Sequence, residues 1–288
     1  MIVYLASPHS NYFLRIMDVY LALANGGGSY VFKNKSEESL MEVFLAGLQS
    51  EKNRANYLGD FAQKIYVLES FYYIQDWMIP FINNHWKFIL DSGAFTFMSN
   101  IKKGDNLNWD EYVENYADFI NEHNIDLFFE LDIDVIVGIK EVERLRDKLE
   151  YITSKKCIPV WHKSRGLDYW KKINKGYDYI AIGGIVSGEI KRNEYKFFNP
   201  LLKIAKENGT KVHGLGFTNE KGLQEYKFDS VDSTAWIYGN RGGFLYYFNG
   251  NKIIKRYKPE GLRLNGKEVA VHNFKEWVKF QRYAKNNL

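Results

Sequence analysis

The sequence predicts an α/β protein built as a (β/α)8 TIM barrel with a small C-terminal hairpin-plus-helix extension. Two observations lead there. Short apolar runs alternate with longer amphipathic segments through most of the 288 residues, and eight such runs can be counted. The runs are continuously apolar instead of alternating, which is the pattern of parallel strands covered by helices on both faces. The length sits near the upper limit for one hydrophobic core and suits a single closed barrel.

The candidate strands are residues 2–7 (IVYLAS), 64–70 (KIYVLES), 87–93 (KFILDSG), 125–134 (IDLFFELDID), 157–162 (CIPVWH), 179–185 (YIAIGGI), 211–217 (KVHGLGF) and 228–233 (FDSVDS). Between them, 108–124 carries apolar or aromatic residues at 109, 112, 113, 116, 119 and 120, the stripe of a surface helix. Segments 140–155 and 198–209 are helical patterns too, and Asn208-Gly209 closes the second with a C-cap signal. NGGGSY at 25–30 lacks the strand before it and the Lys-Ser/Thr after it that a phosphate loop needs, so it reads as a connection. The pattern then changes. Residues 246–257 read as a hairpin turning at Asn249-Gly250, and 273–287 as a closing helix. A barrel domain over 1–243 and a basic hairpin and helix packed on it over 244–288 follow.

Composition narrows the function classes. The single cysteine, Cys157, excludes an internal disulfide framework and a cysteine-clustered zinc site, and it fits a reducing, intracellular setting. The N-terminus has no charged export region, and the apolar stretch 12–24 is broken by Arg15 and Asp18. A cytoplasmic protein with no membrane contact is expected. The net charge of +4 is unevenly placed, because residues 252–288 hold ten Lys or Arg against three Glu. That tail is +7 and the rest of the chain −3, a distribution that suits either a polyanion partner or a solvated basic helix.

Polar residues gather where the candidate strands end: Asp91, Asp132 and Asp134, His162 and Lys163, Gly183-Gly184, His213, and Asp232. In a barrel those ends converge on one mouth, where such folds carry their active sites. Asp91 alone would read as the cap of a turn made by Ser92-Gly93. Gly183-Gly184 reads equally as close strand–helix packing or as exposed peptide groups facing a planar ligand. Two histidines with several aspartates also fit a metal-dependent hydrolase, but no metal-ligand spacing is present and no metal or cofactor is expected.

Four blocks carry a more specific signal: LDSGAF (90–95), ELDID (130–134), IAIGGIVSGE (180–189) with HGLGFT (213–218), and FDSVDSTAWIYGNRGG (228–243). Their order and wording resemble the tRNA-guanine transglycosylase superfamily, whose members exchange a guanine in a nucleic acid for a 7-deazaguanine. The resemblance covers roughly residues 87–243. It implies that Asp232 is the nucleophile, Asp91 the general acid/base, and Asp132 the acid that reads the purine edge. It further implies that Gly183, Gly184, Ile185 and Leu215 line the base pocket, and that Asp229 supports the nucleophile. His162 or Lys163 stands where bacterial tRNA enzymes use glutamine against the base, and Phe95 offers an aromatic ceiling for a flipped base. The zinc cysteines of the tRNA enzymes are missing, so the chain looks closer to the zinc-free, often phage-borne branch that modifies DNA.

This reading makes DNA the favoured partner, with tRNA next, and a 7-deazaguanine base the second substrate. Arg241, Lys279 and Arg282 are the expected phosphate contacts. A homodimer is left open, and the setting would be the host cytoplasm if the protein is phage-encoded. The chemistry needs these residue types independently of the resemblance: one carboxylate can form a glycosyl ester while another trades protons. Two other classes stand beside it, a barrel N-glycosidase or hydrolase, and an inactive barrel that binds nucleic acid.

Overall fold

Seven parallel strands, β1 (Glu42–Ala46), β2 (Ile65–Ser70), β3 (Trp86–Asp91), β4 (Val160–Trp161), β5 (Tyr179–Ile182), β6 (Lys211–Gly214) and β7 (Ser230–Ser233), form one curled sheet in the order β3-β2-β1-β7-β6-β5-β4. The computed structural model describes residues 41–49, 65–84, 86–94, 96, 108–261 and 265–288, without the side chains of 83, 220 and 240–242. The expected strand at 2–7 and the connection at 25–30 lie outside the described residues. The strand that pairs with β7 instead is β1, in a segment where the sequence predicts none.

Helices fill the crossovers: α1 (Ile79–Asn84), α2 (Trp109–Glu122), α3 (Asp134–Val137), α4 (Ile139–Thr153), α5 (Gly166–Gly176), α6 (Phe198–Asn208), α7 (Glu220–Glu225) and α8 (Ala235–Gly242). The predicted periodicities at 108–124, 140–155 and 198–209 appear as α2, α4 and α6, and α6 ends on Gly209 in the left-handed region as its C-cap signal implies. Beyond α8 come the hairpin β8 (Phe244–Phe248) and β9 (Ile253–Tyr257) and a long helix, α9 (Gly266–Asn287), which begins two turns earlier than its pattern suggests. Among the described residues no helix is long and apolar enough to cross a membrane.

Strand parity separates two cores. Phe44, Ala46, Leu68, Ile89, Phe129, Ile158, Val160 and Ala181 pack together on the concave face. Their neighbours Val43, Leu45, Val67, Phe88, Leu90, Ile180, Ile182, Val212 and Val231 face the helices. A side-chain period of two on a doubly covered sheet produces this division.

The expected strand at 125–134 is reduced to two isolated bridges, Phe128 to Leu90 and Phe129 to Ile158. Leu90 donates to the Leu127 carbonyl and accepts from Phe129, both at 2.9 Å, while Ile158 donates to Phe128 at 2.8 Å and Glu130 donates to Ile158 at 3.1 Å. Segment 127–130 thus hydrogen-bonds to β3 on one side and to the approach to β4 on the other. The ladder stops there because the Glu130 carboxylate, not a strand carbonyl, accepts the Val160 N–H at 2.9 Å.

Two polar groups tie the sheet to its surroundings. Gln281 of α9 inserts its amide between the beginnings of β1 and β2, donating to the Val43 and Tyr66 carbonyls at 2.7 and 2.8 Å and accepting from Tyr66 N–H at 3.1 Å. Nearby, Lys285 and Lys87 both pair with Glu42. At the other end, buried Glu69 accepts from backbone amides of residues 47–49, and burial raises its carboxyl to about 8. A folded-state value above the unfolded 4.5 means stability that is full below about pH 4.5 and lost as pH rises through about 8. Glu69→Gln should therefore flatten the decline of the urea-unfolding free energy across that window; an unchanged slope would show that Glu69 does not titrate there.

Candidate active site

The strand ends hold three aspartates in three different environments. Asp232, in β7, is nearly buried and points to the concave side with Ser230. Its Oδ1 accepts from the Gly216 amide at 2.6 Å and lies 3.2 Å from His213 Nε2. Gly216 reaches that position with φ +68°, in the left-handed region that glycine tolerates, and a Cβ there would strike Val186 at 2.2 Å. His213 is wholly buried, with its ring against Phe44 and Phe129 and its Nδ1 2.6 Å from Ser230 Oγ. Ser230 Oγ also bonds to the Tyr179 hydroxyl.

Asp91 is the last residue of β3, on a turn braced from α2. Tyr112 OH donates to the Ser92 carbonyl at 2.6 Å, and Tyr116 OH lies 3.1 Å from the carbonyls of both Leu90 and Phe129. Asp91 Oδ2 accepts the Gly93 N–H at 3.1 Å, so the turn cap expected from the sequence is present. The same carboxyl does more. Burial raises it to about 6, and the negative charges of Asp132 and Asp232 push in the same direction. The charges of Asp132 and Asp232 are thus felt at Asp91.

Asp132 belongs to a half-buried charged lattice. His162, directly after β4, bridges two carboxylates: Nε2 lies 2.8 Å from Asp132 Oδ2 and Nδ1 lies 2.9 Å from Glu189. Burial opposes its positive charge, but the paired acids prevail and hold the imidazolium up to about 9. Beneath it, the buried Arg165 guanidinium reaches Glu130 at 2.9 Å, Asp132 at 3.2 Å and Asp134 at 2.9 Å. Arg146 reaches Glu130 at 3.0 Å from α4. Asp132, Asp134 and His162 each place a ligand-type atom within 4.8 Å of the others. Arg165 already supplies positive charge to that cluster.

The glycine pair after β5 is explained by this lattice. A Cβ on Gly183 would lie 2.7 Å from His162 Nε2, and one on Gly184 would lie 2.6 Å from the Glu189 carboxylate. The missing side chains make room for the His162–Glu189 pair. Gly183→Ala should push His162 off Asp132, lowering its titration midpoint from about 9 toward the ordinary histidine range. A midpoint unchanged in NMR titration would mean the lattice tolerates the methyl.

The remaining expected site residues divide. Leu215 packs against the concave core beside Asp232's strand, and Ile185 and Val186 with Gly216, Lys191, Arg192 and Tyr195 line an adjoining depression of about 380 Å³. Lys163 turns away to Glu194 at 2.6 Å, which leaves His162 as the residue aimed at Asp132. Phe95 and the Arg241 side chain lie outside the described residues. Lys279 pairs with Glu276, and Arg282 stands beside Gln281, whose amide marks the strands' opposite end. The structure does not bring Lys279 and Arg282 to the acids, and their α9 neighbours Trp277 and Phe280 are buried core. Glu189, Arg165, Glu130, Ser230 and Tyr179 were not foreseen as a site. Glu130, Tyr179 and Ser230 are polar insertions in otherwise apolar stretches, Glu189 closes the IAIGGIVSGE block, and Arg165 carried no sequence signal.

No protein-family model matches the sequence, and no curated protein matches it. Solved structures with a similar fold include a native KDPGal structure (9% identity, TM-score 0.44, 85% of this chain and 95% of that one). A putative fructose-1,6-bisphosphate aldolase from Coccidioides immitis is similar at 9% identity and TM-score 0.48, over 86% of this chain and 87% of that one. The carboxyl transferase domain of Rhizobium etli pyruvate carboxylase is similar at 16% identity and TM-score 0.43, over 85% of this chain and 48% of that one. At these values the likeness carries no argument about function, and the architecture rests on the strand pairing itself.

Proposed function

We propose that this chain is a base-exchanging glycosyltransferase that replaces guanine in DNA with a 7-deazaguanine through a covalent glycosyl ester on Asp232. The alternative polymer is tRNA. One observation carries the reading: Asp91 ends β3, Asp232 lies in β7 and Asp132 follows the bridging segment 127–130, and the charges of Asp132 and Asp232 are felt at Asp91, whose carboxyl burial raises toward neutrality. A pair of acids with separated roles is the requirement of double displacement at an anomeric carbon. We also read the curled sheet as a (β/α)8 barrel closed through segment 127–130, on the support of its bridges to Leu90 and Ile158.

Each step has a residue. A free oxygen of Asp232 attacks C1′, the C1′–N9 bond breaks, and its electron pair leaves with the guanine. Protonated Asp91 gives that base its proton. The resulting Asp91 carboxylate then takes the N9 proton of the incoming deazaguanine, whose nitrogen attacks C1′ and releases Asp232 as a carboxylate. A value near 6 keeps Asp91 within reach of both states at neutral pH. The base-expelling half-reaction needs the protonated form and should slow as pH rises past about 6. Asp132, held by His162 and Arg165 and with its charge felt at Asp91, retains acceptor capacity for a purine N–H.

The test supplies labelled guanine or 7-cyano-7-deazaguanine to purified protein with duplex DNA, single-stranded DNA and tRNA in parallel. Label entering DNA supports the proposal, and label entering tRNA alone reassigns the polymer. Release of free guanine without uptake of label would replace exchange by hydrolysis, and the absence of both would overturn it.

A further inference from the structure

We infer that His213 is the positioning residue of Asp232, held as its neutral Nε2–H tautomer by Ser230 and Tyr179. The role given to Asp232 rests on the reading above, while the tautomer rests on the contact distances and on a ring that carries a single proton. Asp232 Oδ1 takes both contacts from its surroundings, the Gly216 amide at 2.6 Å and His213 Nε2 at 3.2 Å. Among the described residues Oδ2 makes no hydrogen bond. The two oxygens are thus unlike: one is fixed to the frame and the other is left to meet carbon.

The direction of the chain follows from what each atom can do. A carboxylate oxygen only accepts, so the proton between His213 and Asp232 resides on Nε2. The neutral ring then presents Nδ1 as an acceptor, and the partner within reach is Ser230 Oγ at 2.6 Å. Ser230 spends its one proton on Nδ1, so its lone pair accepts from Tyr179 OH. Every donor points toward Asp232, in the order tyrosine, serine, histidine, carboxylate. The ring edges of Phe44 and Phe129 pack against His213 and exclude other partners, so the ring cannot flip without orphaning a buried nitrogen. Parity explains the assembly: Tyr179, His213, Ser230 and Asp232 all fall on concave-facing positions of β5, β6 and β7, in register through Ala181↔His213 and His213↔Ser230. No step of the exchange uses the serine or the tyrosine directly.

Imidazole ¹⁵N NMR of the full-length protein tests the assignment, since His213→Gln removes one signal from six histidines and identifies it. Wild type should show a protonated Nε2 and an unprotonated Nδ1, and Ser230→Ala or Tyr179→Phe should mix the tautomers. With base-exchange substrates, Ser230→Ala should lower kcat by roughly tenfold with little change in KM, as expected for a contact that matters more at the transition state. His213→Gln, which can still donate from the Nε2 position, should retain more activity than His213→Ala. Protonated Nδ1 in wild type, or tautomer and kcat both unmoved in Ser230→Ala and Tyr179→Phe, overturns the inference. If the tautomer is as stated but no substrate is turned over, the positioning stands and the base-exchange reading falls.

Discussion

Asp232→Asn should abolish base exchange while leaving the protein folded. The amide is nearly isosteric, and its Oδ1 can still accept from Gly216 N–H and His213 Nε2, so the β7 end keeps its hydrogen bonds. What is lost is the negative charge and the oxygen nucleophile, since an amide does not form a glycosyl ester. Removing the nucleophile of a covalent mechanism costs on the order of 10⁴-fold or more in kcat. The measurement has two parts, incorporation of labelled base and capture of a protein–oligonucleotide adduct on denaturing gels. Both signals should vanish together, with the urea midpoint close to wild type. A variant that still forms the adduct would move the nucleophile elsewhere, with Asp91 the first alternative.

Arg165→Met should produce the largest loss of stability among single changes at the site. The guanidinium is almost fully buried and serves Glu130, Asp132 and Asp134 at once. Methionine fills much of the volume but none of the charge, leaving three acids in a low-dielectric setting with Arg146 and His162 as the remaining cations. Breaking one partner out of a buried ionic cluster costs about 3–5 kcal/mol. Urea unfolding should register a loss of that size at neutral pH, shrinking in acid as the orphaned carboxylates take up protons. A loss below about 1 kcal/mol, the scale of a surface pair, would mean the lattice is solvated.

Much of the fold was legible because its strands are short apolar runs between strong helical patterns. β2, β4, β5, β6 and β7 lie inside segments the sequence marks as strands, and β3 begins one residue before its segment. β1 escaped for a physical reason: LMEVFLAGL is rich in residues that suit a buried helix as well as a strand, and periodicity cannot choose between them in so short a run. The segment 125–134 looked like a full strand, yet Glu130 intercepts the ladder with its side chain, an event decided by arginines on α4 and after β4. At the site, the aspartates could be found because acids at the ends of apolar strands demand an explanation. The glycine pair was visible, but its cause was not, since the neighbours that need the space are His162, far before Gly183 in the chain, and Glu189, in the loop beyond Gly184. The donor chain behind Asp232 is written only in strand register, which links residues 179, 213 and 230 across two crossovers.

Gln281 gives the closing seam an unusual timing. Its amide supplies hydrogen bonds to Val43 and Tyr66 across 238 and 215 residues of intervening chain. During synthesis at roughly 5–20 residues per second, β1 and β2 wait many seconds for the one side chain that satisfies their opening carbonyls. Until α9 has been synthesised, the Val43 and Tyr66 carbonyls lack that partner, although β1 and β2 can already pair through Leu45↔Val67 and Ala46↔Leu68. A chain stopped before α9 would carry unsatisfied backbone acceptors at the start of both strands, a local defect for quality control to recognise.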